Sequence, residues 1–492
     1  MELCRLGHLG LAPGVTGRRG LLLLLGLTAL RLALAAILPL TPDEAYYWLW
    51  SRHLQPGYYD DAPLIAVWIR AGTALFGATP LGVRLFSPLG ALAGSLLLWQ
   101  AGNDFFSNRT DHPGLVAALL LNATLLLGAG AIITTPDTPL LLFWTATLAA
   151  LARWHKTGDD RWWLAAGAAG GLAMDAKYTG LLIFAAAGLS LLLDQRGRAA
   201  LRRPWPWLGM LMGLVLFLPV LIWNARHHWV SLLKQGGRTA HFDLSHAGLH
   251  LADLILGQFG LATPLIAILL VLGTLRAIRA GDAGLRLLGL SVVLPALIFL
   301  EHSLAGVVQG NWPAILYPGA ALAIAGTLGA RSRRWVAPAA WLGFAITALV
   351  YGQVLTRFIA LPPARDPIAL QMRGWRAWSA EAAHQAHGDP IIATDYATIA
   401  ELDWNLPAPN RLIAAGPRWR WFALPHPPPT RSALLIQSNR RGPPSPALFS
   451  AITKLGPLDR QSRGVTVQAY TLYRVTLRAH APAALLRRPH RR

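Results

Sequence analysis

The stretch GLLLLLGLTALRLALAAILPL, residues 20–40, is followed at once by the acidic and aromatic segment TPDEAYY, residues 41–47. A helix needs about 20 mainly apolar residues to cross the hydrocarbon core of a bilayer, so residues 20–40 predict a transmembrane helix. Two carboxylates, Asp43 and Glu44, therefore stand at the mouth of this span. Arg31 inside the apolar run and the carboxylates after it favour a retained span over a cleaved signal peptide.

The composition of the whole chain agrees with a membrane protein. Of its 492 residues, 54% are hydrophobic and 14% are charged, whereas soluble domains carry about 25% charged residues. In a soluble protein, the formal net charge of +21 would suggest binding to nucleic acid. In a membrane protein, the distribution of Lys and Arg among the loops instead indicates which loops face the cytoplasm. Cys4 is the single cysteine, which excludes an intramolecular disulfide. A soluble enzyme and a nucleic-acid-binding protein are therefore excluded.

Apolar runs along the chain predict an all-α polytopic membrane bundle of about eleven transmembrane helices. With the N-terminus in the cytoplasm, most Lys and Arg residues fall in cytoplasmic loops, as the positive-inside rule expects. An odd number of spans then places the C-terminal region on the outer side of the membrane. The predicted spans are residues 20–40, 82–101, 114–132, 138–151, 162–174, 178–193, 205–223, 251–275, 285–301, 312–329 and 335–353.

The chain is expected to contain two domains. Residues 1–356 form the transmembrane module, with a large outer first loop over residues 41–81, and residues 357–492 form a soluble extracytoplasmic domain. The soluble part reads as a small α/β domain, with strands at 391–394, 434–436 and 465–475 and a helix over 372–387. Its basic end, residues 487–492, is expected to be disordered.

Acidic residues gather in the segments that this topology places outside. Ionisable groups near a bilayer are costly, so Asp43, Asp60 and Asp137 are functional candidates. For Asp60 the simpler interpretation, a solvated acid beside an aromatic belt, is equally good. Outer-loop histidines include His227, but their spacing gives no zinc signature. A divalent metal remains possible on these grounds, and no cofactor is certain.

Several motifs in a fixed order resemble the glycosyltransferase C superfamily. The resemblance covers about the first 330 residues and is closest to the polyprenyl-phosphate-sugar branch, which includes protein O-mannosyltransferases and the aminoarabinose and galacturonic acid transferases of lipid A. One departure is that Asp61-Ala62-Pro63 stands where the superfamily often has His-Pro-Pro. The motifs are TPDEAYY (41–47), YDDAPL (59–64), FG (76–77), RL (84–85), PDTPLLLFW (136–144), GLAMDAKYTG (171–180) and NWP (311–313).

The resemblance implies an inverting membrane glycosyltransferase at the outer face of the inner membrane. It implies a polyprenyl-phosphate-linked sugar as donor and an amphiphilic acceptor, either an envelope glycolipid such as lipid A or a protein. Asp43 is implied as the general base, because an acceptor hydroxyl must lose a proton as it attacks. Glu44 would share that role or shape the site, and Asp137 would orient the acceptor or the base.

The leaving lipid phosphate needs cations or hydrogen-bond donors. The resemblance makes Lys177 a phosphate ligand, with Tyr178 beside it. Arg238 is favoured over Lys234 because Arg binds phosphate in a bidentate manner. Tyr317 and Trp312 are further candidates for substrate contact. The alternative interpretation is that these cations bind lipid headgroups, and the aromatic side chains anchor at the interface.

Two other functions fit part of the pattern. A protein O-glycosyltransferase of the same superfamily differs only in its acceptor. A membrane transporter or lipid flippase would also have many spans and charges within them. Such transporters often contain internal repeats of their hydropathy pattern, and this sequence has no such repeat.

Overall fold

The computed structural model describes residues 13–237, 245–407, 410–428, 430 and 432–486. The chain divides into two compact units. The first unit comprises the chain as far as Ala35, together with residues 85–218 and 236–349. The second comprises residues 36–84, 219–235 and 350–492. The predicted first outer loop thus belongs to the same compact unit as the C-terminal region.

The described residues are mostly helical. In chain order the helices are α1 (Pro13–Ile37), α2 (Pro42–Arg52), α3 (Leu64–Phe76), α4 (Pro80–Arg84), α5 (Phe86–Phe105), α6 (Pro113–Asn122), α7 (Leu125–Gly130), α8 (Asp137–Thr157), α9 (Trp162–Ala176), α10 (Leu181–Leu193), α11 (Gln195–Ala200), α12 (Pro204–Arg226), α13 (Val230–Gly236), α14 (Ala247–Ala262), α15 (Pro264–Arg279), α16 (Ala283–Ser303), α17 (Leu316–Thr327), α18 (Ala330–Arg333), α19 (Val336–Thr356), α20 (Pro367–Met372), α21 (Trp375–Gln385) and α22 (Tyr396–Asn405).

The expected number of about eleven spans is not confirmed. Within the described residues, five helices are long and apolar enough to cross a membrane, or six if the bent pair of α14 and α15 is one span. Three of the five lie in single helices: Gly17–Ile37 in α1, Pro204–Arg226 in α12 and Ala283–Ser303 in α16. The other two join consecutive helices: Pro80–Phe105 combines α4 and α5, and Ala330–Thr356 combines α18 and α19.

Breaks within two of the apolar runs account for part of the difference. The predicted span 114–132 is divided into α6 and α7, because the Thr124 side chain accepts a hydrogen bond from the Leu127 amide at 3.2 Å and starts a new helix. The predicted span 251–275 bends by 106° between α14 and α15. Pro264 starts α15 there, and Thr263 before it has a φ of 69°. Counting apolar residues does not detect such interruptions.

Close backbone contact fixes the position of α9 in the first unit. A methyl group at Gly167 would lie 1.9 Å from the carbonyl oxygen of Gly209 on α12. Only glycine allows the two helices to approach this closely. The helix ends at Ala176, and the residue after its end is Lys177.

The second unit contains a six-stranded mixed sheet. The strands of the unit are β1 (Ile391–Ala393), β2 (Leu412–Ala415), β3 (Ala433–Ser438), β4 (Phe449–Pro457), β5 (Arg460–Ser462), β6 (Val465–Gln468), β7 (Tyr470–Leu477) and β8 (Ala483–Leu486). In the sheet, β1 lies parallel to both β2 and β3, β8 runs antiparallel to β2, and β7 runs antiparallel to β3 and β4. The sheet order is β4-β7-β3-β1-β2-β8, and β5 and β6 form a separate hairpin.

The small C-terminal α/β domain predicted from the sequence is therefore confirmed in outline. The predicted strands at 391–394 and 434–436 correspond to β1 and β3, and the predicted helix at 372–387 contains α21. The single strand expected over 465–475 is instead two strands, β6 and β7. They belong to different sheets, so the chain must leave one sheet and enter the other between them. The predicted disordered end, residues 487–492, lies outside the described residues.

Both faces of the sheet are covered, since alternate residues of its central strands enter two separate apolar clusters. Ile392 lies in one cluster, whereas Ile391 and Ala393 lie in the other. The cluster that contains Ile391 and Ala393 also includes side chains from α2 and α3, among them Trp48. The Trp48 ring makes an edge contact with Trp404 of α22 at 4.9 Å. The loop helices are thus part of the core of this unit.

Candidate active site

The start of α2 is fixed by a buried ion pair. Glu44 caps the helix by accepting a hydrogen bond from the backbone N–H of Thr41 at 2.9 Å. Both Glu44 oxygens also accept hydrogen bonds from the Arg84 guanidinium, each at 2.6 Å. Arg84 donates further to the carbonyls of Leu38 and Pro39, and neither ionic side chain is exposed. This arrangement favours the second role predicted for Glu44, that of shaping the site.

Asp43 occupies the first turn of α2 and faces solvent. Its Oδ1 accepts a hydrogen bond from the Tyr396 hydroxyl at 2.9 Å. No ion pair to Asp43 occurs within the described part of the chain. Burial raises the pKa of the Tyr396 phenol, so this group is a neutral donor at physiological pH. Asp43 is therefore an accessible carboxylate held in place by an uncharged partner.

The pKa of Asp43 is raised above its ordinary value of 3.8. The largest cause is desolvation by the protein atoms around the carboxylate, although its surface remains open to solvent. The hydrogen bond from Tyr396 and the charge of Arg418 lower the pKa, while the charges of Glu44 and Asp60 raise it further. A carboxylate with a raised pKa binds a proton more strongly, as a general base must.

Asp60 holds two cations. Its Oδ2 accepts hydrogen bonds from the Tyr46 hydroxyl at 2.6 Å and from Arg418 at 2.9 Å, and its Oδ1 is paired with the Lys234 ammonium. The side chain of Asp60 is 15% exposed, and those of Arg418 and Lys234 are about one quarter exposed. One carboxylate thus orients two partly accessible cations, so Asp60 is placed to position them.

Aromatic rings surround Arg418. Its guanidinium carbon lies 4.4 Å from the ring centre of Tyr396, 5.4 Å from that of Tyr46 and 5.8 Å from that of Tyr59. Such contacts attract a cation and restrict its motion. The group of Asp60, Arg418, Lys234 and the three tyrosines is called the Asp60 cluster below.

Sheet topology explains how the C-terminal residues of this site come together. Tyr396 follows the carboxyl end of β1, and Arg418 follows the carboxyl end of β2. These neighbouring strands are parallel, so their carboxyl ends lie at the same edge of the sheet. Asp395 supports this edge by capping α22 and pairing with Arg441, which follows β3.

The first unit contains a second group of predicted site residues. Asp137 begins α8, where the helix dipole favours a negative charge. Its Oδ1 is paired with the Lys177 ammonium at 2.7 Å, and its Oδ2 accepts a hydrogen bond from the Asn311 amide at 2.5 Å. The Lys177 nitrogen also lies 5.8 Å from the Trp312 ring centre. Asp137, Lys177, Asn311 and Trp312 are called the Asp137 cluster below.

The remaining predicted residues lie in other contacts. Tyr317 is buried and donates a hydrogen bond to the Gln258 side chain at 2.9 Å, and Gln258 donates to the Gly310 carbonyl at 2.9 Å. Tyr178 makes an edge contact with Phe217 at 6.1 Å. Arg238 lies outside the described residues, so its predicted phosphate contact stays a prediction. The described His, Cys, Asp and Glu residues contain no group of three that could hold a metal ion.

Sequence reasoning overlooked Tyr396 and Arg418, noticed Arg84 only within the motif RL, and ranked Lys234 below Arg238. A signal for Arg418 was present in PRWRW, residues 417–421, where basic and aromatic residues alternate directly after a buried strand. Asn311 was noticed only as part of a motif. The residues that were overlooked are mostly those whose partners lie hundreds of positions away, as with Asp60 and Arg418.

Comparisons with known proteins agree with the sequence motifs. Residues 60–223 match the family model described as dolichyl-phosphate-mannose-protein mannosyltransferase. The chain is also 28% identical, over 421 residues, to the lipid A galacturonosyltransferase RgtD of Rhizobium johnstonii. That alignment covers 81% of this chain and 85% of the relative.

Solved structures share the fold. The crystal structure of ArnT from Cupriavidus metallidurans bound to undecaprenyl phosphate superposes with a TM-score of 0.62 at 15% identity, covering 92% of this chain and 97% of the other. The apo structure of the same enzyme gives a TM-score of 0.61 at 16% identity, covering 94% of this chain and 98% of the other. With the sequence matches, this similarity confirms the resemblance that the motifs indicated.

Proposed function

We propose that the chain, a membrane glycosyltransferase of the glycosyltransferase C superfamily, transfers a sugar from a polyprenyl-phosphate donor to lipid A. The observation that supports this proposal most is the geometry of Asp43. Its carboxylate is accessible, has a raised pKa and accepts a hydrogen bond from the neutral Tyr396 hydroxyl. The activity of the relative RgtD makes lipid A the acceptor and galacturonic acid the sugar to test first. The ArnT structure with undecaprenyl phosphate supports a polyprenyl-phosphate donor.

In the proposed reaction, Asp43 removes the proton from a hydroxyl of the acceptor. The oxygen attacks the anomeric carbon of the donor sugar, and the bond between that carbon and the phosphate oxygen breaks. The phosphate leaves with the electron pair, and the single displacement inverts the anomeric centre. A general base of this kind contributes about 10²- to 10⁴-fold to the rate.

We assign Lys177 to the negative charge that develops on the leaving phosphate. Its pairing with Asp137 and the contact of Asp137 with Asn311 fix the position of the ammonium group. Because the cation is already in position, little free energy is spent on reorienting it when negative charge develops on the phosphate. Asp137 therefore acts by orienting Lys177. The predicted roles of Tyr178, Trp312, Tyr317 and Arg238 in substrate binding remain proposals.

We assign Arg418 and Lys234 of the Asp60 cluster to an anionic group of the substrates. Both cations pair with Asp60, and about one quarter of each side chain stays exposed, so their positive charge is partly accessible to a substrate. A uronic acid carboxylate or a phosphate would complement this charge. The uronic acid fits the sugar named for the relative.

A deletion strain tests the acceptor. Mass spectrometry of its lipid A should show loss of one sugar mass, and a plasmid carrying the wild-type chain should restore it. An unchanged lipid A profile, with the protein confirmed in the membrane of the parent strain, would contradict the proposal.

A protein acceptor is the second candidate, because the matched family model describes protein mannosyltransferases. The same deletion strain distinguishes the two. Loss of glycan from membrane or secreted proteins, with intact lipid A, would favour the protein acceptor. The longer match to RgtD, 81% of the chain against residues 60–223 for the family model, makes lipid A the first choice.

A further inference from the structure

A cavity of about 400 Å³ lies between α5 and α8 of the first unit, near the carboxyl ends of both helices. It is called the basic pocket below. The residues that define it here are Leu96, Trp99, Asn103, Asp104, Arg153 and Lys156.

Two cations in the basic pocket are oriented by one buried carboxylate. The side chain of Asp104 is 3% exposed and is paired with Lys156 at 2.8 Å and with Arg153 at 3.0 Å. The cations themselves are 40% and 30% exposed. The pocket thus carries an excess positive charge. Its two cations reach solvent, and the buried Asp104 carboxylate holds them in position. Such a site favours an anion.

The wall of the pocket changes from apolar to polar along α5. Leu96, Trp99 and Asn103 follow one another at helical spacing, and Leu96 is 39% exposed. An amphiphile would fit this order, with its acyl chain along Leu96 and its anionic head at Arg153 and Lys156.

Further positive charge lies beside the pocket. The start of α1 packs near Trp99, since a methyl group at Gly17 would lie 3.8 Å from the indole. Arg18 and Arg19 follow Gly17, and both are exposed. Basic pockets between transmembrane helices at the cytoplasmic surface bind anionic lipid headgroups.

The basic pocket is separate from the Asp137 cluster. Asp137 begins α8, and Lys156 lies in its last turn. Since α8 has 21 residues and each residue adds about 1.5 Å, the two ends are about 30 Å apart. The positive-inside rule assigns the end with Arg153 and Lys156 to the cytoplasm.

We propose that the basic pocket binds the phosphodiester headgroup of an anionic phospholipid of the cytoplasmic leaflet. The lipid phosphate interacts with Arg153 and Lys156, and one acyl chain lies along Leu96. This binding site is distinct from the sites for donor and acceptor.

Native mass spectrometry of the purified full chain tests the proposal, with phosphatidylglycerol titrated into detergent and phosphatidylcholine as the zwitterionic comparison. The wild type should retain a phosphatidylglycerol that phosphatidylcholine does not replace. The D104N/R153Q/K156Q variant removes the excess charge without leaving a buried carboxylate unpaired. Its affinity for this lipid should fall about fivefold or more, given the contribution of each cation near a lipid surface.

The matched control is R331Q/R334Q, which removes two exposed arginines predicted on the same side of the membrane. This variant should bind phosphatidylglycerol as the wild type does. Equal binding by wild type and the pocket variant would overturn the proposal. So would inorganic phosphate that displaces the lipid at millimolar concentration, because the site would then be one for a free anion. Transferase activity is not part of the readout, so the proposed function is tested separately.

Discussion

At the scale of single residues, the hydrogen bond between Tyr396 and Asp43 gives a test in the pH dependence of activity. A general base works only when it is unprotonated, so the rate falls as the pH drops through its pKa. The Tyr396 hydroxyl donates to the carboxylate and lowers this pKa. In a Tyr396→Phe variant the pKa of Asp43 should rise, and the acid limb of kcat/KM should move to higher pH.

The control for this prediction is Tyr473→Phe, a half-buried tyrosine on β7 of the same unit. Its pH profile should match that of the wild type. A Tyr396→Phe variant that loses activity equally at every pH would show that Tyr396 affects the site in another way.

Arg418 permits a test of the Asp60 cluster. Loss of a charge-assisted contact typically costs about 1.5–3 kcal/mol, so Arg418→Gln should lower kcat/KM by about 10- to 100-fold. Arg418→Lys retains the charge and should recover part of the loss. Arg420→Gln, which changes an exposed arginine two positions away, should behave as wild type. Equal activity of the Gln variants at both positions would exclude Arg418 from substrate binding.

At the scale of elements, we expect the Glu44–Arg84 ion pair to stabilise the start of α2. Both side chains are fully buried, and an uncompensated buried charge costs about 3–5 kcal/mol. Arg84→Met should therefore lower the Tm of the purified protein strongly. The double variant Glu44→Gln/Arg84→Met leaves no charge unpaired and should melt closer to the wild type. A Tm unchanged in Arg84→Met would contradict the structural role of the pair.

The sequence predicted the types of secondary structure in both regions, but it did not predict where the apolar helices break. Apolar length and charge predicted a helical membrane protein, and short apolar runs with one alternating segment predicted the α/β region, because these patterns reflect local burial. The breaks at Thr124 and Thr263 were not predicted. A capping threonine or a residue before proline is common in sequences, and only the surrounding packing decides whether it divides a helix.

At the scale of the whole molecule, the second unit joins segments that are far apart in the chain. Arg52 pairs with Asp403 at 2.6 Å, and Asp60 pairs with Arg418 at 2.9 Å. The sequence identified Asp43, Asp60, Asp137 and Lys177 as candidates from local motifs. It could not identify Tyr396 and Arg418 as the C-terminal partners of Asp43 and Asp60, because residue spacing carries no information about pairings that the sheet topology creates.

The substitution Asp43→Asn removes the carboxylate that we propose as the general base of a lipid A glycosyltransferase. The assay is transfer of the sugar to lipid A by the purified chain, with Asp389→Asn as the control in the same unit. We expect turnover to fall by about 10²- to 10⁴-fold in Asp43→Asn, with normal amounts of folded protein and normal activity in the control. Turnover of the Asp43→Asn variant within about twofold of the wild type, a far smaller loss than removal of a general base produces, would rule out Asp43 as the base.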